Sequence, residues 1–191
     1  SIVENPLGLR VLFIRDTMVR EMYEVMSEEW IGIVSRGVTR AVAREVSEFT
    51  GLKALDVTNE RFWKGSFSLM LYLEDGSRVR LGDLGDGVQL YIAFRILSEY
   101  LNPDIVLWDD VESRMNPATL VRVAEGLAEL VERGKQVVVT THSIEAARLL
   151  ASVAGDAGIV KLQLRDGVLT AQQLSLDDVE KMLSLGVDVR V

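Results

Sequence analysis

Three acidic residues follow an apolar run in the middle of the chain. The run is Ile105–Trp108, and Asp109, Asp110 and Glu112 come just after it. A carboxylate at such a point can support Mg²⁺ beside phosphate groups, because this ion prefers oxygen ligands and keeps several of its waters. A second carboxylate beside it can orient or deprotonate an attacking water. Taken alone, the Asp109-Asp110 pair is equally typical of a cap on the following helix.

A second polar group follows the apolar run Val137–Val139. It consists of Thr140, Thr141, His142 and Ser143. The imidazole of His142 can contact a terminal phosphate or respond to its departure, since its charge changes near neutral pH. The plainer interpretation is that the threonines finish a strand and that His142 and Ser143 begin a helix, because serine is a good N-cap.

A glycine-rich segment, Leu81–Gln89, lies directly before a predicted helix and contains three glycines and two aspartates. The backbone N–H groups of such a turn can hold an anion at a helix N-terminus. A glycine-rich turn after a hairpin is by itself only a chain reversal. The functional indication therefore comes from the order of all three segments along the chain.

The remaining sequence predicts the elements that position these groups. The predicted strands are Leu9–Ile14, Leu52–Val57, Phe67–Leu73, Arg78–Leu81, Ile105–Trp108, Val137–Thr140, Gly158–Leu164 and Val168–Leu174. The predicted helices are Thr17–Thr50 with a break near Gly32 or Gly37, Gln89–Leu101, Pro117–Arg133, Ile144–Ala151, and a last helix capped by Ser175–Asp178. Helices alternating with continuous Val/Ile/Leu strands predict an α/β fold, in which a mostly parallel sheet is flanked by helices and β-hairpins are added. Ligands of such sheets gather at the carboxyl ends of the strands, where both polar groups fall.

Composition limits the class of protein. The chain has 191 residues, of which 48% are hydrophobic, and a net charge of -8 that argues against a nucleic-acid or membrane footprint over the whole chain. No apolar run reaches the roughly 18 residues of a membrane span, and there is no cysteine for disulfides or thiolate metal sites, which fits a reducing cytoplasm. We expect one domain, in which residues 1–66 form an N-terminal part, residues 67–174 the core, and residues 175–191 a last helix and tail.

At these motifs the chain resembles a known group of ATPases. Leu84–Gln89 reads LGDGVQ, which is similar to the ABC signature in the form found in stand-alone AAA-family ATPases related to overcoming-lysogenisation-defect proteins and SMC heads. Ile105–Asp110 resembles their Walker B strand, and Val111–Pro117 resembles the D-loop segment that follows it. Val137–Ser143 resembles their switch-histidine strand. The resemblance extends from about Leu69 to Ser152, with motif order and spacing matching together.

The resemblance implies roles for these residues in binding ATP and Mg²⁺. Asp109 would support Mg²⁺, Asp110 would polarise the attacking water, and His142 would be the switch residue near the γ-phosphate. Two heads sandwich ATP in this group, so an ATP-dependent homodimer is implied, with the signature facing a nucleotide held mainly by the opposing subunit. The signature residues are Leu84, Gly85, Asp86, Gly87 and Gln89, of which Gly85, Asp86 and Gly87 would contact the γ-phosphate. Glu112 and Ser113 would lie at the dimer seam.

The sequence departs from the family pattern at two points. The acid after Asp109 is usually glutamate, and a base displaced by about 1 Å can cost on the order of a hundredfold in rate, so slow turnover is expected. The phosphate loop G-x-x-x-x-G-K-[ST] is missing, since the nearest match, Gly32–Thr39, has valine in place of lysine and follows no predicted strand. The chain is thus expected to be the C-terminal portion of a head, which a Walker A-containing N-terminal portion or subunit completes.

Two other interpretations use parts of the same pattern. A degenerate head would keep the fold and use Asp86, Asp109 and Glu112 only structurally, as a protein-interaction module. A phospho-acceptor receiver domain also carries an acid pair, but at its first strand and with a later acceptor aspartate, which this order lacks. The motifs do not identify the process that ATP drives, whether it involves DNA, a nuclease partner or another protein. The helical stretch from Thr17 to Thr50 is the least family-like part, where either a partner docks or the core simply packs.

Overall fold

The computed structural model describes residues 2–4, 8–61, 67–155 and 157–185 of the chain. The strands are β1 (Ile2–Glu4), β2 (Arg10–Ile14), β3 (Ala54–Arg61), β4 (Phe67–Leu73), β5 (Arg78–Arg80), β6 (Ile105–Trp108), β7 (Gln136–Val139), β8 (Ile159–Arg165) and β9 (Val168–Leu174). The α-helices are α1 (Val19–Glu28), α2 (Trp30–Ser35), α3 (Val38–Thr50), α4 (Asp86–Leu101), α5 (Pro117–Glu132), α6 (Ile144–Ala154) and α7 (Leu176–Ser184). The tail predicted after the last helix, residues 186–191, lies outside the described residues.

The main sheet has the strand order β1-β2-β6-β7. Strands β2, β6 and β7 are parallel, and β1 is antiparallel to β2. The register places Trp108 beside both Ile14 and Val139, so the three parallel strands end at one edge. The predicted α/β fold with a mostly parallel sheet flanked by helices is confirmed.

Helix α4 is the central helix of the core. Each side chain from Leu90 to Ser98 is buried, and a helix that is apolar nearly all round is one that must be covered on every side. It contacts α1, α3 and α5 along its length, and its Phe94 packs edge-on against Trp108 of β6 with ring centroids 5.0 Å apart. The helix therefore links the glycine-rich segment at its start to the sheet that carries the acids.

The break predicted near Gly32 or Gly37 is confirmed at Gly37. Gly32 lies inside α2, and a Cβ at this position would come within 2.6 Å of the Tyr100 hydroxyl, so the glycine makes room for that ring. Gly37 precedes α3 with φ +70, a conformation that favours glycine. A further break falls at Glu29, between α1 and α2.

Two smaller sheets accompany the main one. Strands β3, β4 and β5 form an antiparallel sheet, in which the predicted turn at Asp75-Gly76 has φ +82 at its glycine. Strands β8 and β9 form the predicted hairpin, and Asp166 and Gly167 both take positive φ, as a two-residue turn between twisted strands requires. The predicted capping box before α7 is confirmed, because Ser175 and Asp178 bond to each other's backbone N–H.

Within the described residues, no helix combines the length and apolar character needed to cross a bilayer.

Candidate functional site

The two polar strand tips predicted from the sequence lie in contact. The Thr140 hydroxyl donates a hydrogen bond of 2.7 Å to Asp109 Oδ1 and accepts one of 2.9 Å from the Asp110 N–H. His142 Nε2 lies 3.5 Å from Asp110 Oδ1. The tip of β6 and the tip of β7 therefore form one polar surface, in which a threonine joins the two aspartates and a histidine faces the second one.

The acid loop, residues 109–116, is fixed between two strands by its backbone. The N–H of Asp109 bonds to the Ile14 carbonyl of β2, and the N–H of Val111 bonds to the Thr140 carbonyl next to β7. Asp110 has φ +52, in the left-handed region that aspartate tolerates better than most residues. This turn directs the Asp110 side chain away from the strand line and toward His142. Neither aspartate caps α5, because Asn116 performs that task by accepting from the Thr119 N–H.

Glu112 is turned toward the β7 tip. Its Oε1 accepts a hydrogen bond of 2.9 Å from the His142 N–H. Its Oε2 is buried and has no hydrogen-bond partner in the part of the chain that the structure describes. A buried carboxylate oxygen without a donor costs free energy. In this structure Glu112 thus contacts the histidine loop, residues 140–143. Its place at a dimer seam stays a prediction.

The glycine-rich segment forms a single 3₁₀ turn and then the start of α4, three residues earlier than predicted. The helix begins at Asp86 and is preceded by Gly85, which is exposed. Gly87 is buried, and a Cβ there would lie 3.0 Å from the Arg114 carbonyl oxygen and 3.1 Å from Met115 Cα. Gly87 is therefore required for close packing of α4 on the acid loop, a role that the spacing alone did not indicate.

Asp86 is engaged by a residue that the sequence did not single out. Arg114 Nη1 donates to Asp86 Oδ2 at 2.9 Å, and Arg114 Nε donates to Asp16 Oδ2 at 3.2 Å. The hydrogen bond that Asp86 accepts from Arg114 and the negative charge of Asp16 raise the pKa of Arg114 above its ordinary value. The pair spans 98 residues between Asp16 and Arg114, which is why no local pattern predicts it.

The other predicted nucleotide contacts lie around the same junction. Ser113 Oγ donates to Asp16 Oδ2 at 3.2 Å, beside the arginine. Gln89 is buried, and its amide donates to the Leu84 carbonyl at 2.8 Å, which closes the turn before α4. Gln89 and Leu84 thus shape the helix start from within, while Asp110 and His142 face outward.

A cavity of about 890 Å³ adjoins this junction. It opens between α1 and α4, and Asp16, Tyr23, Asp86 and Arg114 are among the residues that line it. Burial and the charge of Asp86 raise the pKa of Tyr23 far above that of a free tyrosine. The cavity is not formed by Asp109, Asp110 or His142, so it is a neighbour of the strand tips and not part of them.

The donor set at the tips fits Mg²⁺ only in the manner expected for a phosphate-bound ion. In the described ranges, no group of three or more histidine, aspartate or glutamate side chains is arranged to hold a metal. One partly buried carboxylate, Asp109, has Oδ1 occupied by Thr140. Mg²⁺ that keeps its waters and is held mainly through phosphates needs only one or two carboxylates, and Asp109 suits this role.

The near match to a phosphate loop is not one in the structure. Gly32–Thr39 covers the end of α2 and the start of α3, and no strand leads into it. Thr39 is buried within α3. The segment is a helix–helix connection, as its missing lysine indicated.

The fold and the joined strand tips define a domain of the P-loop NTPase-like class. The family model described as "AAA domain, putative AbiEii toxin, Type IV TA system" matches residues 33–148, which is more than half of the 191 residues. The chain belongs to this AAA-domain family. No curated protein gives a significant sequence match.

Solved structures with a similar fold include heads of SMC proteins. The SMC head domain from Thermotoga maritima aligns with a TM-score of 0.54 and 13% identity, over 85% of this chain and 53% of that one. The Smc head with a coiled coil and joint from Pyrococcus yayanosii aligns with a TM-score of 0.53 and 18% identity, over 76% and 29%. A structure from work on ATP-driven dimerization and DNA-stimulated activation of SMC ATPases aligns with a TM-score of 0.53 and 18% identity, over 76% of this chain and 90% of that one. At such identities the likeness concerns the fold.

Proposed function

We propose that this chain is the part of an ATPase head that carries the Mg²⁺-supporting acid, the water-orienting acid and the switch histidine. The observation that carries the proposal is the contact between the two strand tips, in which Thr140 bridges to Asp109 and His142 lies 3.5 Å from Asp110. Membership of an AAA-domain family supports nucleotide binding as the general activity. The surface is exposed at His142, whose side chain is 91% accessible, so a ligand can reach it.

The side chains have separate tasks in this proposal. Mg²⁺, when bound with ATP, neutralises charge on the phosphates, and Asp109 holds it through one carboxylate. Asp110 orients the attacking water, and His142 donates a hydrogen bond toward the terminal phosphate. Thr140 fixes the Asp109 carboxylate and the Asp110 backbone together, so the two acids keep their relative position. Aspartate is one methylene shorter than glutamate, so the proposed turnover is slow.

The phosphate loop must come from a separate segment, and two surface features support a place for it. Strand β7 pairs only with β6 among the described residues, and Val138 on it is 47% exposed. An unprotected valine-rich edge is typical of a strand that another segment pairs with. A parallel strand added there would end about 4.8 Å from the tip of β7, next to His142. The other edge of the sheet is β1, a strand of three residues that runs antiparallel to β2.

The hairpin of β8 and β9 presents a second uncovered surface. Val160, Leu162 and Leu164 alternate along one face of β8, with Leu169 opposite Leu164, and all four are more than half exposed. A two-stranded hairpin is marginally stable without packing. Its base is anchored near α6, because Ile159 and Leu174 pack with Ile144. A strand and helix that carry the phosphate loop would cover the hairpin face and the β7 edge together.

We also propose that two completed heads close on ATP. The start of α4 is exposed at Gly85 and Asp86, and the N–H groups of a first helical turn have no partners within the helix and favour anions. The work on related SMC ATPases concerns ATP-driven dimerization, which supports the same arrangement for this chain. Glu112 and Ser113 would then lie just behind the closing surface, beside the histidine loop and Asp16.

The test is to combine the chain with a polypeptide that carries the phosphate loop and to measure ATP hydrolysis. Asp109→Ala and His142→Ala are expected to remove the activity, while Asp177→Ala, at an exposed aspartate on α7, is expected to leave it unchanged. Asp110→Glu is expected to raise the rate, because it restores the longer acid. Activity that is indifferent to Asp109 and His142 would sink the proposal.

The same assay separates the degenerate-head alternative. If the combined protein binds ATP and assembles without hydrolysing it, and Asp110→Glu does not start turnover, the chain is an interaction module. Two further variants test the proposed docking surface on the β7 edge and the hairpin face. Val138→Lys and Leu164→Glu are expected to block assembly, whereas Val153→Glu, at an exposed valine of α6, is the matched control.

A further inference from the structure

Arg114 connects three segments that are far apart in sequence. It lies in the acid loop with φ +60, in the left-handed region, and its guanidinium reaches Asp16 before α1 and Asp86 at the start of α4. The planar fork of arginine can serve two carboxylates at once from fixed directions, which lysine cannot do. An arginine in a left-handed conformation is uncommon, so the loop accepts a conformational cost that its contacts must offset.

The backbone under this side chain is packed directly on α4. The Arg114 carbonyl and Met115 Cα lie close enough to Gly87 that any Cβ there would be crowded, at 3.0 and 3.1 Å. The ion pairs of Arg114 thus hold α4 and the acid loop together at the surface. Gly87, which has no side chain, allows the same two segments to pack closely. Two independent features, an ion-pair bridge and a close backbone approach, join the same two segments.

The other end of the acid loop carries the strand tips. From Arg114 back to Asp110 the loop is short and internally bonded, since the Ser113 N–H donates to the Asp110 carbonyl and the Met115 N–H donates to the Glu112 carbonyl. Glu112 in turn accepts from the His142 N–H. A displacement at Arg114 is therefore passed to Asp110 and to the histidine loop without a flexible joint between them.

We propose that Arg114 is a positioning residue that couples the start of α4 to the acid loop by bridging Asp16 and Asp86. It sets the position of Asp110 and Glu112 relative to the glycine-rich helix start. A phosphate that binds at the helix start therefore affects the position of the two acids in the acid loop. Its effect on catalysis rests on the proposed ATPase function, while its effect on the loop does not. Arg114 also compensates Asp86, whose carboxylate would otherwise repel an anion at the helix start.

Hydrogen exchange on the isolated chain tests the coupling directly. The probes are the bonded N–H groups of Ser113 and Met115 and those of Val88 and Gln89, which bond to the Gly85 carbonyl. Arg114→Ala is expected to speed exchange severalfold at both sets of amides, and Arg114→Lys to give an intermediate increase, because one ammonium cannot bridge both acids. Asp86→Asn is expected to reproduce the change.

Arg148→Ala is the matched control. Arg148 is also an exposed arginine, and it pairs with Glu180 at 2.9 Å, away from the acid loop. It is expected to leave the four probe amides unchanged. Circular dichroism and the unfolding midpoint check that every variant is folded. Unchanged exchange in Arg114→Ala, or an equal increase in Arg148→Ala, would overturn the inference.

The functional consequence is read in the head completed with the phosphate-loop polypeptide. Arg114→Ala is expected to lower kcat by more than it changes KM for ATP, with partial recovery in Arg114→Lys. If the wild-type head hydrolyses ATP and faster loop exchange leaves kcat unchanged, the coupling plays no part in catalysis and the inference fails. If the wild-type head shows no hydrolysis, the proposed function fails, while the exchange experiment still decides the coupling.

Discussion

Two arginines of this protein each lie between two carboxylates, in very different surroundings. Arg95, in the middle of α4, bonds to Glu45 with two nitrogens at 2.8 Å and lies 2.9 Å from Glu129. Arg114, in the acid loop beside the start of α4, pairs with Asp16 and Asp86 at 3.2 and 2.9 Å. The side chain of Arg95 is 6% exposed, and that of Arg114 is 55% exposed.

The difference in burial predicts a difference in structural role between the two arginines. Burial alone would lower the pKa of Arg95, but its bonds and charge interactions with Glu45 and Glu129 raise it overall, so it stays charged. Breaking such a buried pair leaves an uncompensated charge. The pairs of Arg114 are screened by water and salt, so they cost little to open. The same charge pattern thus joins α3, α4 and α5 permanently in one place and allows adjustment in the other.

The largest expected effect is that of removing the buried arginine. Arg95→Ala is expected to lower the free energy of unfolding by about 3 kcal/mol, because Glu45 and Glu129 lose their cationic partner. Urea unfolding followed by circular dichroism measures the change. Arg148→Ala, at an exposed arginine paired with Glu180, controls for the loss of charge. A shift no larger than that of the control would mean that the cluster contributes little.

A smaller effect is expected at the glycines before and inside the first turn of α4. Gly87→Ala is expected to cost about 1–2 kcal/mol, because the added methyl meets backbone atoms of the acid loop at 3.0–3.1 Å. Gly85→Ala meets no atom within 4 Å and is expected to have a much smaller effect on the unfolding midpoint. A cost of Gly87→Ala no larger than that of Gly85→Ala would show that packing on the acid loop does not exclude a methyl group at position 87.

These two regions also show what the sequence could predict. Strand β6 was predicted at its observed bounds, because a short continuous apolar run between polar residues indicates a buried strand. Contact between the two strand tips followed from the parallel arrangement. The start of α4 was predicted at Gln89 instead of Asp86, because glycines and aspartates normally indicate a turn. The packing that makes Gly87 helical comes from a loop distant in sequence, which no local pattern reveals.

The same limit applies to the charged residues. Glu45 was visible only as a polar position in the helical pattern of α3, and nothing in its neighbourhood indicates Arg95, 50 residues away. Thr140 was read as an ordinary strand residue, although its position beside Asp109 in the sheet makes it the bridge between the tips. A pairing of predicted strands in register would have identified this threonine, whereas Arg114 and Asp16 needed the folded structure.

The cluster around Arg95 also includes Tyr91, whose ionisation makes stability depend on pH. Burial, and then the charge of Glu45, raise the pKa of Tyr91 well above its ordinary value. A raised pKa in the folded state means that the stabilisation is present below the unfolded pKa of about 10 and is lost as pH rises above it. The free energy of unfolding is therefore expected to fall as pH rises from about 10. Tyr91→Phe is expected to reduce this slope and leave the part due to Tyr23 and Tyr100, whose pKa values are also raised. An unchanged slope would exclude Tyr91 as its source.

The smallest expected effect on stability is that of Arg114→Ala. Exposed ion pairs contribute little to folding, and screening weakens them as salt is added. The shift of the unfolding midpoint is expected to be a small fraction of that for Arg95→Ala and to shrink between about 0.05 and 0.5 M NaCl, while the Arg95 shift persists. Measuring both variants across this salt range sharpens the comparison. A large, salt-insensitive loss of stability for Arg114→Ala would mean that the acid loop is part of the permanent core. The ion pairs of Arg114 could then not open without unfolding the protein.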